Sequence, residues 1–99
     1  MLNAQELILN IAVNLGRIGR YAYEGRRSRV EQFLAETQDY IRQLESAPMN
    51  SNFQRTLDDF KKSFDALEKY KRLDVVWAET VYTWANILTH RAKLAIEII

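Results

Sequence analysis

Residues 53–67 read Phe-Gln-Arg-Thr-Leu-Asp-Asp-Phe-Lys-Lys-Ser-Phe-Asp-Ala-Leu, with apolar side chains at Phe53, Leu57, Phe60, Phe64 and Leu67 and charged or polar ones at nearly every position between. Steps of four and three average 3.5 residues, so these five side chains form one stripe on a helix whose opposite face is wet. A stripe of that kind is stable only when other helices cover it. The same spacing recurs at Ala4, Ile8, Ile11, Leu15, Ile18 and Ala22, at Phe33, Thr37, Tyr40 and Leu44, and at Ala78, Val81, Ala85, Leu88, Ala92 and Ala95. Four stripes imply an all-α fold, an antiparallel up-down four-helix bundle.

Between the stripes stand local stop and start signals. Asn3 with Glu6 forms a capping-box pair, so the first helix is expected from about residue 4 to Glu24, where Gly25 offers a left-handed stop. Ser28 with Glu31 reads as a second capping box, for a helix reaching about Glu45. Ser46-Ala47-Pro48-Met49-Asn50-Ser51-Asn52 is the clearest break, and Ser51 with Gln54 is positioned to cap a third helix ending near Lys71. Asp74 then serves as N-cap of the fourth. The heptad nevertheless runs in phase through Lys71 and Asp74, and through Arg26 and Arg29. A hairpin of two long helices, each about 44 residues and about 66 Å, that dimerises is therefore the alternative.

A chain of 99 residues, 47% hydrophobic and 27% charged, makes one helical domain able to enclose a core. It has no cysteine, which removes disulfides, thiolate catalysis and cysteine-bound zinc, and fits a cytoplasmic location. No apolar run approaches the ~20 residues of a membrane span, and the first basic residue is Arg17, so the N-terminus does not read as a secretory signal. With a formal net charge of +1, the chain as a whole exerts no field toward nucleic acid.

Catalytic constellations are not apparent. His90 is the only histidine and falls on the polar face of the fourth helix with Glu79, Thr83, Asn86 and Glu97. Asp58 and Asp59 are adjacent and point about 100° apart. Glu36 and Asp39 lie one turn apart without a second ligand pair, and Gly16, Gly19 and Gly25 follow no strand that would make them a phosphate loop. No catalytic residue, metal site or cofactor is expected.

Two surfaces stand out instead. Leu73, Trp77, Trp84, Ile87, Leu94 and Ile98 form a second heptad row on the fourth helix, displaced from the first by roughly 60–120° at 100° per residue. So wide an apolar arc either touches two neighbouring helices or meets a partner, for which tryptophan is a favoured anchor. The groove of Ala12, Gly16 and Gly19 on the first helix is a candidate receptor. The expectation is a non-enzymatic homo-oligomer or adaptor using Leu73, Trp77, Trp84, Ile87 and Leu94. The second surface is basic. An up-down chain brings Arg26, Arg27 and Arg29 near Lys69, Lys71 and Arg72, with Tyr21 and Tyr23 close by, as suits an anion or single-stranded nucleic acid. The opposite end, with Glu6, Glu45, Asp58, Asp59 and Glu97, is expected to be acidic.

Overall fold

The computed structural model describes residues 2–96, and all expectations for Glu97 and Ile98 lie outside them. Four helices run up and down as an antiparallel bundle: α1 (Ala4–Tyr23), α2 (Arg27–Ser46), α3 (Gln54–Lys69) and α4 (Val75–Arg91). Short 3₁₀ turns at Ser51–Phe53 and Ala92–Ala95 precede α3 and extend α4. The longest dimension is 43 Å, too short for two helices of about 66 Å, so the long hairpin is excluded. What breaks the in-phase heptad is backbone conformation: Gly25 has φ +68° and Leu73 has φ +57°.

Each boundary has a local cause. The capping box of α1 is complete, with the Glu6 amide donating to Asn3 Oδ1 at 2.9 Å and the Asn3 amide donating to Glu6 Oε1 at 3.2 Å. At its other end the Gly25 amide bonds Ala22 O and the Arg26 amide bonds Tyr21 O, a Schellman closure that requires a left-handed residue at Gly25. That closure leads directly into α2, whose first residue is Arg27 and whose Arg26 cap makes no side-chain bond. Ser28 is consequently already inside the helix, and the expected Ser28–Glu31 capping box does not form. Ser51 does not cap α3 either: it opens the 3₁₀ turn, whose cap Asn50 accepts the Asn52 amide at 2.8 Å, and Phe53 at the N-cap of α3 makes no side-chain bond. Asp74 caps α4 as expected, accepting from the Trp77 amide at 2.8 Å.

The core contains the full α1 and α3 stripes, including Ile8, Leu15, Ile18, Phe53, Phe60 and Phe64, all at most 1% exposed. In α2 the buried row is Val30, Leu34, Thr37, Ile41 and Leu44. Phe33 and Tyr40, expected on that row, are half-buried at its edge, where Phe33 stacks on Tyr21 (ring centroids 5.8 Å) beneath the Arg17 guanidinium. Thr37 is fully buried, and its hydroxyl donates to Phe33 O at 2.7 Å. Asn14, 2% exposed, donates to Glu36 and accepts from Arg17, each at 3.2 Å. Among the described residues no buried side-chain nitrogen or oxygen lacks a partner.

Gly19 fixes the approach of α4 to α1. A Cβ there would lie 2.7–2.9 Å from three ring atoms of Tyr82, so only a bare backbone admits that ring. The groove of Ala12, Gly16 and Gly19 is thus filled within the chain at Gly19, while a Cβ at Gly16 would meet nothing within 4 Å.

Candidate protein-contact surface at the α3–α4 corner

The apolar arc of α4 serves two neighbours. Ala78, Val81 and Leu88 belong to the central core, whereas Trp77 and Trp84 turn toward α3. Trp77 is 5% exposed and its indole N–H donates to Leu67 O at 3.1 Å, which meets the hydrogen-bond need of a buried indole. Trp84 is half-buried against Phe60, with ring centroids 5.4 Å apart. Leu73 and Leu94 are half-buried against the core, and Ile87 is half-exposed. Of the five residues read as a contact row, Trp77 in particular is not available as a protruding anchor.

Around Trp77, however, lies a surface that the heptad did not single out. Tyr70, Val75 and Val76 are 61%, 60% and 75% exposed. Tyr70 and Val76 line a groove of about 290 Å³ walled by Ala66 and Leu67 on α3, by Tyr70 at the C-cap of α3 and by Val76, Trp77 and Thr80 on α4, with Arg72 and Asp74 completing its lining. The first turn of a helix favours acidic side chains, and two adjacent exposed valines follow the Asp74 cap instead. Their adjacency ahead of Trp77 was the available sequence signal. A hollow of about 400 Å³ lies at the other end, between Leu2 and Leu7 of the N-terminal segment and Arg42, Ala47 and Pro48, without a comparable cluster of exposed apolar side chains.

Of the six basic residues, Arg27 and Lys71 are brought into contact. Arg27 Nη2 donates to Lys71 O at 3.4 Å, joining the first and third junctions at one end of the bundle. Arg26 stands over Tyr21 and 3.6 Å from Glu24, and Arg72 pairs with Asp74 at 3.2 Å. Arg29 bonds Gln32, and Lys69 lies over the Tyr70 ring. Among the described residues, Arg27, Arg29, Lys69 and Lys71 form no ion pair within 4.0 Å, and of these four Lys71 acts at longer range on the Glu68 carboxylate. Burial pushes the Glu68 carboxyl above its ordinary range, and its like-charged neighbour Asp65 adds to the effect, while Lys71 opposes it.

The other titratable groups are tied locally. His90 is exposed, and its Nδ1 is 2.8 Å from Asn86 O of its own helix. Glu36 bonds Asn14, Asp39 pairs with Arg42 at 2.8 Å and Asp58 accepts from Gln54 at 2.9 Å, so Glu36 and Asp39 do not act as a pair. Tyr23 donates to Glu79, and this bond raises the phenol pKa. Lys61 reaches Glu45 at 2.7 Å, which raises the ammonium pKa. The described residues hold no cluster of three or more His, Asp or Glu side chains arranged to ligate a metal, and no described helix is long and apolar enough to cross a membrane. No protein-family model, curated protein or solved structure matches the chain.

Proposed function

We propose that the protein is a non-enzymatic interaction module that binds a protein partner at the α3–α4 corner. The observation that carries this reading is the exposure of Val76 at 75% beside a groove floored by Trp77. Exposed Tyr70 and Arg72 line the same groove, Lys69 lies over the Tyr70 ring, and exposed Val75 and Lys71 adjoin Val76 and Tyr70 in sequence. An apolar centre with a charged rim is the usual anatomy of a contact surface. The complementary ligand is a segment with one bulky apolar anchor flanked by carboxylates, the anchor seated against Trp77 and the acids near the basic rim.

Selection from a displayed peptide library tests the reading. Bound sequences are expected to share an apolar anchor with adjacent acids, and to lose at least tenfold in affinity for Val76→Glu. That variant places a carboxylate in the first turn of α4, where it favours the helix, so lost binding does not follow from unfolding. A selection without such a consensus, or binding indifferent to Val76→Glu, refutes the proposal.

A second reading has its own support in the basic residues of the first and third junctions. The pole containing Arg26, Arg27, Arg29, Lys69, Lys71 and Arg72, with Tyr70 exposed beside it, suits a single-stranded nucleic acid. Affinity for a short oligonucleotide would then fall steeply with salt, through release of counterions from the phosphates, and would vanish in the Arg26→Ala/Arg27→Ala/Arg29→Ala protein. No binding at low salt excludes it.

A further inference from the structure

Helix α1 carries a second seam on the side opposite the core. Glu6, Leu9, Val13, Gly16 and Arg20 follow the heptad with alternating steps of three and four and fall within about 80° of one another at 100° per residue. This outer face of a bundle helix ordinarily is charged. Here Leu9 and Val13 are 37% and 53% exposed, and Gly16 is open on its side-chain side. The ten residues Leu7–Gly16 include no charged side chain at all.

We infer that this face pairs with the same face of a second copy of the chain, antiparallel, about a two-fold axis at Val13. The charges at its two ends select that arrangement. Glu6 is the one acid near the start of α1, and Arg17 and Arg20 are its two bases near the end. Turning a second α1 about Val13 sets each Glu6 beside the other copy's Arg20, and each Leu9 opposite position 17, where the open backbone of the adjoining Gly16 leaves room for it. A parallel pairing would oppose Glu6 to Glu6 and Arg20 to Arg20. The seam is therefore complementary to itself in one orientation only, as a two-fold contact requires. Within the chain Arg20 approaches Glu24 at 4.0 Å, donates to the Tyr21 hydroxyl at 3.2 Å and lies over the Tyr21 ring, exposed contacts that it exchanges for Glu6 in the dimer.

The contact is small. A helix of this length runs about 30 Å and is about 10 Å across, a footprint of roughly 300 Å² in projection against about 800 Å² per partner in a standard interface. A weak, concentration-dependent dimer follows. Sedimentation equilibrium from a few to several hundred micromolar, at low salt, should show the mass rise from 11.7 kDa toward twice that value. Val13→Glu and Arg20→Glu should each weaken association at least tenfold without loss of helicity, since both side chains are exposed. The chain has no cysteine, so Val13→Cys gives a unique thiol lying on the axis. It should oxidise to a covalent dimer, whereas Leu9→Cys, facing position 17, should not. A monomer at every concentration overturns the inference, as does a dimer insensitive to Val13→Glu. Covalent dimers from both thiols would mean a parallel seam and overturn the two-fold arrangement.

Discussion

Replacing Asp74 by alanine removes the bond between its carboxylate and the Trp77 amide (2.8 Å) and a contact to Arg72 (3.2 Å). The two losses are unequal. Loss of an N-cap costs about 0.5–2 kcal/mol, whereas the ion pair, with Arg72 76% exposed, contributes a few tenths of a kcal/mol at most after solvent screening. Leu73 already holds a left-handed backbone, so the cap and the half-buried Leu73 side chain together must keep the chain turned into α4. Asp74→Ala is thus expected to destabilise by about 1–2 kcal/mol, or about 4–16 °C in Tm for a domain of this size. Asp74→Asn separates the two contributions, because asparagine caps as well as aspartate but carries no charge. It should stay within about 0.5 kcal/mol of the parent. Equilibrium urea unfolding, followed by circular dichroism, reads both variants. An Asp74→Ala protein as stable as the parent, or more so, would refute the cap and with it the break between α3 and α4.

The two helix-interior glycines should respond oppositely. Gly16→Ala is expected to stabilise by about 0.5–1 kcal/mol, measured on dilute protein, because the added methyl meets no neighbour and removes glycine's backbone entropy. Gly19→Ala drives a methyl into the Tyr82 ring and should cost about 1–2 kcal/mol net, turning neutral or stabilising once Tyr82→Ala makes room. Equal effects at the two glycines would contradict the close approach of α4 to α1. Glu68 has a folded-state pKa raised chiefly by burial, so its contribution to stability is complete at low pH and is lost as pH rises through that folded value. Glu68→Gln should accordingly raise the urea midpoint at pH 7 and leave it unchanged at pH 3, and an equal gain at both would assign the effect to something other than the charge.

Much of the fold is legible because its determinants are local. Asn3 with Glu6, Gly25 and Asp74 act on amides within a few residues, and the stripes of α1 and α3 are narrow enough to have one register. The errors arise where a neighbouring turn overrides a local signal or an apolar arc is wide. Ser28 lost its cap to the Gly25 closure, and the 3₁₀ turn capped by Asn50 took up Ser51 and left α3 without a side-chain cap. In α2, Thr37 and Leu44 belong to two overlapping rows, and the choice between Phe33 with Tyr40 and Val30 with Leu34 and Ile41 depended on which helices lay alongside. The same ambiguity affects α4: spacing shows that Trp77 and Trp84 need cover, but not that α3 provides it. The juxtaposition of Arg27 with Lys71 followed from topology alone. Pairs such as Tyr23 with Glu79 and Arg91 with Thr56 join helices through long side chains and have no periodic signature.

Site-specific photo-crosslinking tests most directly whether the α3–α4 corner is where the protein meets its partner. A photoreactive residue at position 76, on the exposed rim of the Trp77 groove, should yield one discrete protein adduct in the cell of origin. The same residue at position 59, on the wet face of α3, should yield none. The adduct should disappear when Lys69, Lys71 and Arg72 are reversed to glutamate in a protein that remains helical. No adduct at position 76, or the same products from positions 76 and 59, would contradict the account.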